Sequence, residues 1–369
     1  ILIIFTQQSM AEPIEIAKNI VELVKSKTYQ NKTILTNFMG YGAVQEANRV
    51  LNENNIPTYS TPEHAIKAYM YMYQYKRNLE LIYETPEELP VDAAPPKRPI
   101  LNILRSAAVE NRELLTDVEA KRILEYYNFP VVKTAVAANA DEAVAFAKQI
   151  GYPVVLKILS PAIIYKTDAD SVILDINSDA EVRQAFELLM QRAKVSNEKA
   201  NIIGVTVQPM IRHRGYEVII GGKKDPTFGS AILFGMGGVG AELFKDYSIG
   251  LPPLNTTLIR RMLEETKVYQ LLRGYRNIPP ANLKLLEEVL LRFSQLLIDF
   301  PQIREIDLNP LLISEKEASV LDARIAIDKE AVFRKFEPHE HLVISPYPKK
   351  YETLWTLRNG QEVLLRPIK

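Results

Sequence analysis

The sequence predicts an α/β protein of two units: a small parallel-sheet unit followed by a larger, two-part α+β unit. Three observations carry that reading. Between Ile1 and Tyr83, short apolar runs alternate with amphipathic stretches, the pattern of βαβ units around a parallel sheet. Residues Thr85 to Pro99 hold five prolines beside Glu87, Glu88, Lys97 and Arg98, a composition suited to an extended linker. From Ile202 onward strand-like runs dominate, which separates the second half of the larger unit from its first.

In order, strands are expected at Ile1 to Phe5 and Thr33 to Thr36, and helices at Pro13 to Lys25, Ala43 to Asn54 and Pro62 to Tyr75. Past the linker, Thr116-Asp117-Val118-Glu119 has capping-box spacing and starts a helix running to Tyr127. A strand (Val131 to Ala135), a helix (Ala140 to Ile150), two strands (Val154 to Ile158, Ser171 to Ile176) and a helix (Asp179 to Ala193) follow. The strand-rich part has Ile202 to Val207, Tyr216 to Gly221, Gly229 to Phe234, Ile306 to Ile313 and Ser319 to Ile327, with helices at Thr257 to Leu272 and Ala281 to Phe300. Near the end, Asn359-Gly360 between two strand-like runs predicts a hairpin. The expected boundaries are 1–84 for the first unit, 85–106 for the linker, 107–330 for the second unit (107–195 and 196–330), 331–350 for a further linker and 351–369 for the hairpin.

Forty-five basic residues balance forty-five acidic ones, so no net field draws the chain to nucleic acid or an anionic membrane, and small-molecule partners are expected. The absence of cysteine removes disulfides, thiolate metal sites and a thiol nucleophile, and makes the cytoplasm the expected compartment. The apolar start Ile1 to Phe5 is too short to cross a bilayer and has no basic segment before it. A chain that begins on Ile and stops after a strand-like run is expected to be part of a longer protein.

Within the apolar run Val154 to Ile158, Lys157 is the one charged side chain. Burial of an unpaired ammonium is costly, so either it meets an anion such as a phosphate chain or it reaches water at the strand end. Glu305, Asp307 and Asn309 alternate onto one face of a strand that can pair with the segment carrying Asp322. Such hard oxygen ligands, without His or Cys, suit Mg²⁺, or else serve structure. Phe234 to Gly240 is a glycine-rich turn after an apolar strand, in which Gly237 and Gly238 let backbone amides approach a phosphate. Gly40 opens a helix after a strand, either as an anion site or as a plain βα turn.

Taken in order, Ile150 to Lys157 (IGYPVVLK), Val207 to Met210, Tyr216 to Ile219, Asp225 to Gly229, Phe234 to Gly238 and Glu305 to Pro310 (EIDLNP) resemble the NDP-forming acyl-CoA synthetases, relatives of succinyl-CoA ligase. The resemblance runs from about Ile1 to Asp328. It implies a flavodoxin-like, parallel-sheet CoA-ligase domain followed by a two-part ATP-grasp domain. It further implies that Lys157 contacts the phosphates of ATP or ADP, that Gln208, Pro209 and Met210 lie beside the adenine, that Glu217 faces the nucleotide, and that Asn309 and Asp322 hold Mg²⁺. Gly40 would stand near the helix that receives a migrating phosphoryl group, and CoA or acyl-CoA would bind through an upstream CoA-binding domain.

Active members of the family pass a phosphoryl group through histidine. The segment that usually reads His-Lys-Ser-Asp before a Gly-Gly pair is Tyr165-Lys166-Thr167-Asp168-Ala169-Asp170-Ser171 here. Tyrosine is no ready substitute, because its phenol titrates near pH 10, and His64, His213, His339 and His341 are expected at the surface or in packing. The tail from Tyr351 resembles the first hairpin of a GNAT-type acetyltransferase, as found fused to synthetase regions in bacterial protein lysine acetyltransferases. Three functions follow: a nucleotide- or acyl-CoA-responsive region of such a fusion, an active ADP-forming acetate–CoA ligase, or a non-catalytic assembly module. Self-association is left open.

Overall fold

The computed structural model describes residues 1–26, 32–83, 95–161, 171–196, 201–212, 214–238, 245–336, 339–344 and 352–365. The chain divides into two compact units, Ile1–Glu84 and Thr85–Lys369.

In the first unit, β1 (Leu2–Thr6) is followed by α1 (Pro13–Lys25) and β2 (Leu35–Met39). A 3₁₀ turn (Tyr41–Val44), α2 (Gln45–Glu53) and α3 (Pro62–Tyr83) complete it. β1 and β2 pair in parallel, Leu2 opposite Leu35 through Thr6 opposite Met39, and a parallel bridge joins Thr36 to Thr58. Ala17, Ile20 and Val21 of α1 pack with Phe38, Val44, Ala47 and Leu51 into one small core. Among the described residues, two strands and a bridge are less than the doubly wound, five-stranded sheet of a flavodoxin-like domain. The expectation of a flavodoxin-like domain is therefore corrected to a βαβ unit. The second strand also begins two residues later than predicted, because Leu35 to Phe38 are the residues that bury.

The second unit opens with α4 (Lys97–Val109), inside the stretch expected to be an extended linker. Pro99 is the third helical residue, and the first four helical N–H groups have no intrahelical acceptor, so a proline there costs little. α5 (Asp117–Tyr126) has its capping box: Glu119 N donates to Thr116 Oγ1, and the Glu119 carboxylate accepts from Thr116 N. Next come β3 (Ala135–Ala137), α6 (Ala140–Ile150), β4 (Val154–Leu159), β5 (Val172–Ile176), α7 (Asp179–Ser196) and β6 (Gly204–Pro209). The strand expected at Val131 to Ala135 forms only from Ala135, with Val131 bridged instead to Val320. These strands make an antiparallel sheet in the order β3-β6-β4-β5. With α6 and α7 against it, this small subdomain encloses its own core of Val144, Leu156, Val182, Leu189, Val205 and Val207.

The large subdomain has β7 (Tyr216–Asp225), β8 (Gly229–Met236), β9 (Tyr247–Gly250), α8 (Thr256–Glu264), α9 (Val268–Leu272) and α10 (Leu283–Asp299). The long β10 (Ile303–Ile313), β11 (Ala318–Val320) and β12 (Ala323–Ile327) follow. β10 is the centre, pairing antiparallel with β7 on one side and with β11 and β12 in succession on the other. The single helix expected over Thr257 to Leu272 is two, because Thr266 turns the chain and Asp246 caps the second helix through Lys267 N and Val268 N. The strand expected over Ser319 to Ile327 is likewise two, broken at Leu321-Asp322. The α10 face Leu286, Leu290, Phe293 and Leu297 packs on the sheet beside Ile220, Ile306 and Leu308. The chain ends with the hairpin β13 (Thr353–Thr356) and β14 (Glu362–Leu365), with Gly360 at φ 81° in its turn. Among the described residues, no helix is long and apolar enough to cross a membrane.

Candidate active site

Between the two subdomain sheets lies a cleft of about 1000 Å³. One wall is β4, all six of whose residues are buried. A strand buried on both faces has no room for an unpaired charge, and Lys157, 8% exposed, is accordingly paired. Its Nζ crosses the cleft to donate to the Leu321 carbonyl at 2.9 Å and to Asp322 Oδ1 at 3.1 Å. The break between β11 and β12 has a purpose here, since it turns Asp322 out of the ladder and into the cleft.

The opposite wall is β10. Its alternation buries Ile306 and Leu308 and leaves Asp307 and Asn309 to line the cleft, while Glu305, on the same face, is not among the lining residues. Burial pushes the Asp307 carboxyl up to about 6, with Glu305 and Asp322 adding repulsion against the opposing pull of Arg324. Asn309 Oδ1 accepts from Gly238 N at 3.0 Å. Gly238 has φ +62°, and a Cβ there would stand 1.9 Å from Glu217 Oε2, so this turn takes a glycine for both conformation and space. Gly237 N donates to the Glu217 carbonyl at 3.0 Å, and a Cβ on Gly237 would collide with the Val218 backbone.

Gln208, Pro209 and Met210 lie at the end of β6 and line the same cleft with Glu217. Met210 N is held by the Pro153 carbonyl at 2.9 Å, and Gln208 is 3% exposed. Eight predicted residues thus surround one cavity or its immediate border: Lys157, Gln208, Pro209, Met210, Glu217, Gly238, Asn309 and Asp322, with Gly237 beside Glu217. Gly40 does not join them. It belongs to the first unit, at φ 149°, where a Cβ would meet Gln7 Oε1 at 2.8 Å. Tyr165 and His213 lie outside the described residues. His64 is exposed with Ser60 Oγ at 3.0 Å from its Nδ1, and His341 packs its Nε2 3.2 Å from the Leu297 carbonyl.

Sequence reasoning missed two kinds of residue. Arg324 lines the cleft opposite Asp307 in the β10–β12 ladder; its signal was the register that pairs these segments. Asp117, which borders the cleft, forms a buried ion pair with Lys121, 3.0 Å apart. Their spacing of four on a helix was visible, but nothing local said that the pair would be buried.

A family model described as an ATP-grasp domain matches residues 106–327. The chain belongs to the ATP-grasp family. This ATP-grasp domain is that of the ADP-forming acyl-CoA ligases. It is 41% identical over 225 residues to the beta subunit of acetate–CoA ligase [ADP-forming] I of Pyrococcus furiosus, covering 61% of this chain and 96% of that subunit. It is 37% identical over 315 residues to 4-hydroxybutyrate–CoA ligase [ADP-forming] of Nitrosopumilus maritimus, covering 85% of this chain and 44% of that protein. The chain thus spans less than half the length of this second relative and nearly all of the first. Among solved structures it resembles the dinucleotide-forming acetyl-coenzyme A synthetase 1 of Ca. Korarchaeum cryptofilum, in complex with coenzyme A, Ca-AMPCP and HgCl⁺. The TM-score is 0.60 at 36% identity, over 62% of this ATP-grasp chain and 99% of that one. Another structure of that synthetase holds coenzyme A and Mg-AMPPCP, with a TM-score of 0.55 at 34% identity over 62% of this chain and all of that one.

Proposed function

We propose that this chain is the ATP/ADP- and Mg²⁺-binding portion of an ADP-forming acyl-CoA ligase-type protein. The observation that carries the reading is the pairing across one cleft of a buried lysine with an oxygen-rich wall: Lys157 on one side, and Asp307, Asn309 and Asp322 on the other. That donor set fits the groups it would hold. Lys157 would neutralise phosphate oxygens, Gln208 to Met210 would border the base, and Glu217 would sit beside the Gly237-Gly238 amides. Asn309 and Asp322 would supply oxygens to Mg²⁺, beside the Asp307 carboxyl that burial first, and the neighbouring carboxylates second, push up. A bound Mg²⁺ would neutralise developing charge on the phosphoryl oxygens. The chain's own residues fix the geometry: Asp322 by the strand break, Asn309 by Gly238 N, and Lys157 by a strand buried on both faces.

The first unit is read as part of a CoA-ligase domain. The 315-residue match to the longer relative exceeds the 225-residue match to the beta subunit, which supports it. CoA or acyl-CoA would then bind through a CoA-binding domain outside this chain, with the cytoplasm as the compartment. Calorimetry with ADP or ATP plus Mg²⁺ tests the nucleotide reading. The expected result is a saturable isotherm that is lost in Lys157→Ala, and a wild-type chain giving no heat with any of these would sink it.

For the intact protein we propose a fusion to a GNAT-type acetyltransferase, for which this region is the nucleotide- or acyl-CoA-responsive part. The hairpin β13–β14 supports that reading. It leaves Leu354, Trp355, Leu364 and Leu365 each more than half exposed, and a two-stranded hairpin with an uncovered apolar surface is marginal by itself. Tyr165, at the family's histidine position, supports a regulatory role over turnover. The full-length protein is then expected to acetylate protein lysines from acetyl-CoA. Formation of acyl-CoA from acid, CoA and ATP, without any lysine acetylation, would establish the ligase instead.

A further inference from the structure

At the cleft wall lie two buried charged side chains that the reading above does not use: Asp117, which borders the cleft, and Lys121 behind it. Asp117, the first residue of α5, has a side chain that is 0% exposed and Lys121 one that is 3% exposed; Lys121 Nζ meets Asp117 Oδ2 at 3.0 Å. Lys121 also donates to Thr134 Oγ1 at 3.2 Å. Two further contacts of Asp117 lead in different directions. Its Oδ2 accepts from Gln208 Nε2 at 3.3 Å, on the small-subdomain sheet. Its Oδ1 accepts from the backbone N–H of Ala323 at 3.4 Å, the residue directly after Asp322. One carboxylate therefore joins the strand expected to border the base to the turn expected to hold the metal.

Stability alone does not account for such a pair. A buried ion pair is often no more stable than two apolar residues of the same volume, because desolvation offsets the attraction. Burial pushes the Lys121 ammonium down to about 8; Asp117 and Asp322 oppose that shift and Lys157 adds to it. Lys121, Asp117, Lys157 and Asp322 thus form one set of charges, of which Asp117, Lys157 and Asp322 border the cleft and Lys121 lies behind it.

We propose that Asp117 and Lys121 are positioning residues, which hold Gln208 and the Asp322 turn in register so that base and metal are engaged together. The inference rests on the nucleotide reading above. Gln208 keeps its backbone place through the β4–β6 ladder opposite Val155, whereas Asp322 lies outside both β11 and β12. Loss of the pair is therefore expected to fall on the metal side.

The test compares ADP binding in Mg²⁺ with ADP binding in a chelator, by calorimetry, for the wild-type chain, Asp117→Asn, Lys121→Met and the double variant, with a thermal melt of each. All three variants are expected to bind ADP in Mg²⁺ about 10- to 100-fold more weakly, the range for loss of a group that orients a metal ligand. Metal-free affinity is expected to change by less than about threefold. Lys121→Met alone, which strands a buried carboxylate, is expected to melt lowest, and the double variant to melt near the wild type. Asp117→Asn, isosteric and uncharged, gives the same ratio when Lys121→Met does not fold. A double variant with a wild-type melt and wild-type Mg²⁺ dependence would show that the pair does not position the Asp322 turn and overturn the inference. A wild-type chain that binds no ADP would overturn the nucleotide reading and the inference with it, so the two failures are distinguishable.

Discussion

Lys157 and Asp307 stand on opposite walls of one cleft and reach it by different sequence logic. Lys157 lies on a strand buried throughout, where every side chain is apolar or partnered, so a single lysine in the run is informative by itself. Asp307 lies on a strand of alternating burial, where a polar residue at every second place is ordinary and marks only a face. The first wall carries a cation that meets an anion wherever that anion is offered. The second gathers carboxylate and amide oxygens, among them the half-buried Asp307. Lys157 and the oxygens of the second wall are thus open to separate tests.

The largest effect is expected from Lys157→Met. Loss of charge-assisted contacts to phosphate lowers ADP affinity by about 100-fold, both with and without Mg²⁺, while adenosine binding is unchanged by calorimetry. Equal loss of adenosine binding would break the division, by showing that Lys157 supports the whole cleft. A smaller effect, about tenfold and seen only when Mg²⁺ is present, is expected from Asp322→Asn. An Mg²⁺-independent loss of that size would move Asp322 to the phosphate side.

The smallest effect is a pH slope belonging to the acidic wall alone. Asp307 has its pKa raised from 3.8 to about 6, so the folded chain binds its proton more tightly than the unfolded one. Stability is accordingly favoured below pH 3.8 and declines as pH rises towards 6, then levels. Thermal melts in that range are expected to show the slope in the wild type and to lose it in Asp307→Asn. Persistence of the same slope in the variant would assign it to another group.

Much of this was legible in the chain. The capping box at Thr116, the lysine of β4, the shared face of Asp307 and Asn309 and the turn at Asn359-Gly360 are local patterns, and local physics decides them. The misreadings share a cause that is not local. Leu321-Asp322 interrupts a run whose composition reads as one strand, and only the successive pairing of β10 with β11 and β12 breaks it. Pro99 reads as linker until its place in the first turn of α4 makes its missing N–H harmless. Asp117 and Lys121 look like an exposed helical pair until α5 is packed against β6 and β12. The two parallel strands of the first unit bear out a βαβ pattern, but no pattern within Ile1 to Tyr83 supplies the rest of a five-stranded sheet.

The contact of Lys157 with Asp322 has a consequence for how ligands depend on one another. Each side chain neutralises the other, so a phosphate that draws the lysine away leaves a carboxylate uncompensated, and a cation that takes the carboxylate releases a lysine. Nucleotide and Mg²⁺ bound there would each lower the free-energy cost of binding the other, and by linkage the enhancement would be the same in both directions. On the proposed reading, the ion pair spanning the cleft would serve as an exchange partner for both ligands and couple their binding.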